Sequence, residues 1–240
     1  MPTLFRYDPA LLARFPAIRG GVIAARHLRN GPIPPALAAA FATEQRAALA
    51  RLGDTPLSDV PSLAAWRRAF SAFGVKPTQY RSAAEALLRR LTKHGDIPSL
   101  NLLVDLGNLV SIRYALPVAI FDRRTTTGTV TVRFANGDER FTDLGTDEIA
   151  HPDPGEVIFV DEAGLVSARR WCWRQSEQSA AREDTTEALI TVEGHHASAE
   201  ADVRAALTDL QTLLGEYVPG AALHAALLSP ATPALDIPAN

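Results

Sequence analysis

Cysteine and lysine are almost missing from this chain. Cys172 is the single thiol, which excludes an internal disulfide and a zinc site built from several cysteines. Lys76 and Lys93 are the only lysines among 24 cations, so arginine supplies nearly all the positive charge. Long apolar runs are missing as well. The longest, such as Ala36–Ala42 and Val118–Phe121, fall far short of the roughly 20 residues that a membrane span needs. The opening MPTLFRYDPALLARFP has no basic segment followed by a long apolar core, so no signal peptide is expected, and the expected location is cytoplasmic. A net charge of −3 gives no global electrostatic case for nucleic acid; contact with RNA would need local patches. What is there is a chain of 240 residues, 47% hydrophobic and 21% charged, with the balance of a folded globular protein.

The patterning places helices first and strands later. Gly21–Ala25 reads as a short strand, and Pro35 suits the first turn of a helix that runs through Leu52 to Gly53. Pro61–Phe73 predicts a second helix. Ser82 and Glu85 form a capping-box pattern before a third, stopped by Gly95. Asn101–Tyr114 predicts a fourth. After Pro117 the period changes to two: Thr129–Phe134 and Glu139–Leu144 flank Asn136-Gly137 as a predicted hairpin. Val157–Val160 and Leu165–Trp173 predict another around Glu162-Ala163-Gly164, and Thr186–Glu193 a further strand. Ser198–Tyr217 predicts a last helix, followed by a loosely attached tail. This segregation of helices and strands favours α+β over a doubly wound sheet.

The most informative segment is Asn101–Tyr114. Asn101, Asp105 and Asn108 are spaced by four and three, so a helix gathers them on one face among residues that favour burial. Buried amides and carboxylates must be hydrogen-bonded. They either tie the helix to neighbouring loop backbone or form a pocket wall that offers donors and acceptors to a ligand. Gly107 permits close backbone approach on the same side.

A second segment, Arg169-Arg170-Trp171-Cys172-Trp173-Arg174-Gln175, mixes cations and aromatics. As a strand it directs Arg170, Cys172 and Arg174 one way and Arg169, Trp171, Trp173 and Gln175 the other. Such a surface either stacks bases and holds phosphates or is a half-buried edge with snorkelling arginines. The chain lacks G-x-S-x-G, a Walker loop, G-x-G-x-x-G after a strand and H-E-x-x-H. His195 and His196 with Glu193 form only a weak metal candidate, and no metal or cofactor is expected. Cys172 has no evident His or Asn partner and reads as a packed thiol.

Leu103-Val-Asp-Leu-Gly-Asn-Leu-Val followed by Pro117-Val-Ala-Ile-Phe-Asp122 resembles the B3/B4 domain of bacterial phenylalanyl-tRNA synthetase beta subunits. That family carries N-x-V-V-D-V-T-N-Y-V and then G-Q-P-L-H-A-F-D. Asn101, Val104, Asp105, Asn108, Val110, Pro117, Phe121 and Asp122 match in register. Ser82 through Gly95 resembles the helix before the motif, and Arg182-Glu-Asp-Thr-Thr-Glu resembles the family's R-E-D-T-x-E strand entry. The resemblance implies an α+β domain at 76–217 with an N-terminal helical extension at 1–75 and a tail at 218–240. In the synthetase the domain removes tyrosine wrongly attached to the phenylalanine tRNA.

The resemblance thus implies a free-standing editing domain that deacylates mischarged aminoacyl-tRNA, with a synthetase as a further partner it admits and no membrane. Asn101, Asp105, Gly107 and Asn108 are the implied catalytic group, with Gly107 backbone near the ester. Trp171, Trp173, Gln175, Thr191 and Glu193 are the implied substrate contacts. Arg81, Arg89, Arg90, Lys93, Arg169, Arg170 and Arg174 are candidates for phosphate contact. The chain departs from the family pattern at Ala119, where the family has His, and at Gly107, where it has Thr. The family's tyrosine-reading Glu falls at Thr191, with Glu193 two residues on, and a pocket narrowed by Trp171 or Trp173 suits a smaller side chain. Two other readings stay open. One is a non-catalytic module that binds tRNA or an amino acid through the same pocket; the other is a structural partner that associates through its last helix.

Overall fold

A computed structural model describes residues 2–237. In chain order the elements are β1 (Thr3–Tyr7), α1 (Pro9–Arg14), β2 (Arg19–Arg26), α2 (Pro35–Leu52), α3 (Pro61–Ala72), α4 (Ala83–His94) and α5 (Leu102–Tyr114). There follow β3 (Val118–Asp122), β4 (Val130–Phe134), β5 (Phe141–Thr142), β6 (Ile149–Ala150), β7 (Val157–Val160), β8 (Val166–Arg169), β9 (Arg174–Gln175) and β10 (Ala188–Gly194). The last are α6 (Ala199–Tyr217), β11 (Ala222–Leu228) and β12 (Ala234–Asp236).

The architecture is α+β. A four-stranded antiparallel sheet, ordered β11-β2-β10-β3, forms the middle layer. Side chains alternate across it as strand geometry requires. Ile23, Ala25, Ile120, Ala188, Ile190 and Val192 meet the helices α2, α5 and α6 on one side. Val22, Ala24, Phe121 and Leu189 point the other way, toward a six-stranded sheet ordered β12-β1-β4-β7-β8-β9. By the same alternation Thr191 and Glu193 share the face of Leu189. Polar groups thus enter the layer between the sheets, and they sit there almost fully buried.

The helix boundaries follow local chemistry. Ser82 Oγ accepts from the Glu85 amide at 3.3 Å and starts α4, while Gly95 ends it at φ +83°. The Glu85 carboxylate does not close the capping box; it takes the Arg67 guanidinium, with Nε at 3.0 Å, and ties α3 to α4. Asn101 Oδ1 accepts from the Val104 amide at 3.1 Å and starts α5.

Three expectations are corrected. The N-terminal segment is not a purely helical extension: β2 lies inside the four-stranded sheet, and β1 lies between β12 and β4. Residues 218–237 are not a loose tail. β11 pairs with β2 along its whole length and β12 pairs with β1, because edges of both sheets would otherwise lie open. The hairpin at Asn136-Gly137 does not form. β4 pairs instead with β7, and Glu139 turns back to accept from the Asn136 and Gly137 amides at 2.9 and 3.0 Å. The hairpin between β7 and β8 does form.

Candidate functional site

The Arg169–Gln175 segment is not a continuous strand. β8 stops at Arg169, and Arg170 and Trp171 both adopt left-handed backbone, at φ +44° and +59°. Side chains beyond Cβ disfavour that region by about 1–3 kcal/mol each, so the surroundings must hold it. Glu156 accepts from the Arg170 amide at 2.8 Å, and the Trp171 amide donates to the Val157 carbonyl at 2.6 Å. The turn breaks the expected alternation. It drives Trp171 into the core, fully buried and edge-on to Phe15, Trp66 and His195 at 5.0, 5.2 and 4.8 Å. Trp173 stays half-buried, with Arg170 and Arg174 over its ring at 4.8 and 4.6 Å.

Behind Trp171 lies Glu193. The Trp171 indole N–H donates to its carboxyl, at 3.2 Å from Oε2, and the Tyr7 hydroxyl donates to Oε1 at 2.7 Å. Burial pushes the Glu193 carboxyl up to about 7, against the pull of these two donors. A cavity of about 70 Å³ opens beside it, bounded by Phe121, Phe159, Ala168, Trp171, Thr191 and Glu193. Cys172 also borders this cavity, and burial pushes its thiol well above the ordinary range.

The cavity is the innermost of three adjoining depressions and forms their blind end. It shares Ala83, Val118, Trp173 and Gln175 with a groove of about 420 Å³ that runs between α4, α5 and β3 past Gly107 and Asn108. Gln175 is fixed by its amide N–H₂, which donates to the Ile120 carbonyl at 2.8 Å and the Ser179 carbonyl at 2.6 Å. The groove in turn shares Ala86, Arg90 and Trp173 with an open mouth lined by Arg81, Arg89, Lys93, His94 and Arg174.

The Asn101–Asn108 row divides on folding. Asn101 is the cap of α5, and its Nδ2 donates to the Ala181 carbonyl at 3.0 Å. Asp105, fully buried, accepts from the Ser99 hydroxyl and from the Leu100 amide at 3.0 Å; burial still pushes its carboxyl up. Both tie the helix to loop backbone, and neither lines the groove. Asn108, half-buried, does line it, and its amide makes no hydrogen bond among the described residues. At Gly107 a Cβ would come within 3.0 Å of Ile120 Cδ1, so what approaches there is β3, packed close under the groove floor.

The arginines divide too. Arg169 is buried in a two-pronged pair with Glu156, at 3.0 and 2.9 Å, which removes it from any phosphate contact. Arg170 reaches Asp153 at 3.4 Å and stacks on Tyr80 at 4.1 Å, so it braces the turn. Arg174 pairs with Asp143 at 3.1 Å, and Arg81 lies 3.6 Å from Glu85. Arg90 is 3.9 Å from Asp96 and exposed, and Arg89 and Lys93 are exposed with no ion pair among the described residues.

The weak metal candidate is not assembled. His196 bonds Asp202 at 2.7 Å, and His195 is edge-on between Trp66 and Trp171. Among the described residues no group of three His, Cys, Asp or Glu side chains could hold a metal ion. No helix among them is long and apolar enough to cross a membrane. A second depression, of about 370 Å³, lies at the C-terminal end of α5. Its charged groups are engaged with one another or with neighbours: Arg113 with Glu44 and Asp209, His196 with Asp202.

A model of the family described as the B3/4 domain matches residues 65–213, more than half of the chain. The chain belongs to the B3/4 domain family. The phenylalanine–tRNA ligase beta subunit of Shewanella oneidensis is 30% identical to it over 94 residues, which are 39% of this chain and 12% of that protein. The chain therefore spans a small part of the curated relative it matches. A crystal structure of an N-terminal fragment of the phenylalanyl-tRNA synthetase beta subunit from Pyrococcus horikoshii is similar at 18% identity and a TM-score of 0.42, covering 50% of this chain and 40% of that one.

Three residues that shape the site in this B3/4 chain were missed from the sequence. Tyr7 lies upstream of the family match, and nothing local marks its hydroxyl as a partner for Glu193. Phe121 matched the family motif and Phe159 read as an ordinary strand residue, but neither was assigned to the site; only the packing of two sheets turns them into facing walls.

Proposed function

We propose that this B3/4 domain acts on aminoacyl-tRNA, hydrolysing in trans the ester of a wrongly charged species. The observation that carries this reading is the adjacency of three compartments: a small buried cavity, a largely apolar groove that holds Asn108 and Gln175, and a basic mouth. The end of a charged tRNA has the same sequence of parts. Its amino-acid side chain suits a small enclosed cavity, its ester needs polar neighbours, and its phosphates need cations. The likeness to a phenylalanine–tRNA ligase beta subunit supports the same assignment.

In the groove the ester carbonyl lies beside Asn108, whose uncommitted amide N–H₂ can donate to the oxygen as it becomes negative. A water oxygen bonds to the carbonyl carbon, the bond to the ribose oxygen breaks, and that oxygen leaves with the proton. The protein contributes position and fixed dipoles, a contribution that reaches several kcal/mol. Arg89, Arg90 and Lys93, on adjacent turns of α4, hold the phosphates.

A second reading has its own observation. Among the described residues no nucleophile paired with a base lines the groove, and burial keeps Cys172 a thiol. That favours a module that binds charged tRNA without cleaving it. Incubation of the protein with a panel of correctly and wrongly charged tRNAs, following loss of the ester, separates the two. Selective loss of one mischarged species supports the hydrolase. Binding without loss supports the module, and neither binding nor loss overturns both.

A further inference from the structure

The blind end is small and its walls cannot retreat. An apolar cavity of about 150 Å³ is enough to hold benzene; this one has about 70 Å³. Phe121, on the edge strand β3, and Phe159, on the interior strand β7, have ring centroids 5.3 Å apart, and both are almost fully buried. Trp171 is wedged among Phe15, Trp66 and Phe73 and held by its bond to Glu193. A phenol or benzyl ring entering from the groove would have to displace packed aromatic side chains. Overpacking of that kind is destabilising.

The same cavity has two polar positions. Thr191 borders it, and its hydroxyl makes no hydrogen bond among the described residues, although the residue is only 2% exposed. When ionised, Glu193 receives Tyr7 and Trp171 on Oε1 but only Trp171 on Oε2, which leaves Oε2 able to accept again. A donor–acceptor group placed between them would satisfy both. A hydroxyl on a short side chain does this: it donates to Glu193 and accepts from Thr191. An apolar side chain of equal size leaves both groups unpaired, and sites built to bond a hydroxyl reject such analogues strongly.

Resting on the proposed action at an aminoacyl ester, we infer that the blind end selects a small β-hydroxy side chain, that of serine or threonine, and excludes aromatic ones. Ala83, Val118, Trp173 and Gln175 are the neck through which the side chain passes, with the ester left beside Asn108.

The test uses the full chain and non-hydrolysable probes, adenosine carrying seryl, threonyl, valyl or tyrosyl groups in 3′-amide linkage, with affinity measured by calorimetry. The seryl or threonyl probe is expected to bind at least about tenfold more tightly than the valyl and tyrosyl probes. Thr191→Val, nearly equal in volume, should bring the threonyl and valyl probes within about threefold of each other while the thermal midpoint holds. Equal binding of all four, or preference for the tyrosyl probe, overturns the inference. Ester hydrolysis run alongside keeps the two claims apart. Loss of tyrosyl ester with seryl and threonyl esters spared would leave the hydrolase standing and remove this selectivity. Selective binding of the threonyl probe without turnover would do the reverse. No binding of any probe would remove both.

Discussion

At the blind end of the site, the walls come from β3, β7, β10, the end of β8 and the turn after it, stretches distant in sequence, and Phe121, Phe159, Ala168, Trp171, Thr191 and Glu193 are nearly out of water. At the mouth, Arg89, Arg90 and Lys93 come from adjacent turns of α4 and stand in solvent. The first region is costly to alter because each group is fixed by several others. The second tolerates change because its cations have few partners and full hydration. One end can therefore carry selectivity, which needs rigid walls, and the other affinity, which needs only charge in reach.

The sharpest way to break this contrast is Trp171→Ala. Removing a fully buried indole that also donates to Glu193 should destabilise the fold by about 3–5 kcal/mol. Urea unfolding would read it, and a loss under about 1 kcal/mol would mean that the blind end is not the rigid region described.

The next effect is one of pH. The Glu193 carboxyl sits at about 7 in the fold, against 4.5 for an unperturbed glutamate. Between those values the folded chain holds a proton that the unfolded chain has released, so this group's contribution to stability is lost as pH rises through the window. The span amounts to roughly 3 kcal/mol at most. Glu193→Gln, which keeps an acceptor for Tyr7, should lose that part of the decline when unfolding is compared at about pH 5 and pH 7.5. An unchanged slope would show that Glu193 ionises freely.

Asn108→Ala tests the groove between the two ends. Turnover of the mischarged ester should fall about 10²-fold while the unfolding midpoint stays put, since the Asn108 amide makes no hydrogen bond among the described residues. Full activity in this variant would move the chemistry elsewhere. The smallest effect belongs to the mouth. Arg89→Ala combined with Arg90→Ala should weaken tRNA binding about tenfold at moderate salt and make the log–log salt slope shallower by about 1.5. Stability should hardly change, and binding that keeps its salt dependence would discard the patch.

How legible each region was from the sequence follows the same division. Arg89, Arg90 and Lys93 could be grouped from spacing alone, because helical periodicity is local. Asn101, Asp105 and Asn108 were rightly gathered at one helix, yet periodicity says nothing about what lies opposite. The loop 99–100 and the carbonyl of Ala181 claim the first two, and only Asn108 faces the groove. Arg169 looked like a phosphate ligand until Glu156, just ahead of β7, was brought against it. The alternation drawn through Arg169–Gln175 failed at two residues that left-handed backbone reverses, a departure with no glycine to announce it.

By itself, then, the sequence determined the local matters: the cap of α4, the hairpin between β7 and β8, the helical cation patch and the α+β class. Each depends on neighbours within a few residues, where steric and hydrogen-bonding preferences act directly. Only the tertiary structure decided that β2 lies within a sheet that the C-terminal β11 borders, that Tyr7 meets Glu193 across 186 residues, and that two sheets leave a small polar-ended cavity between them. Those outcomes depend on which distant apolar faces close on one another. That choice is made by the burial of the whole chain and leaves no periodic mark in the segments that carry it.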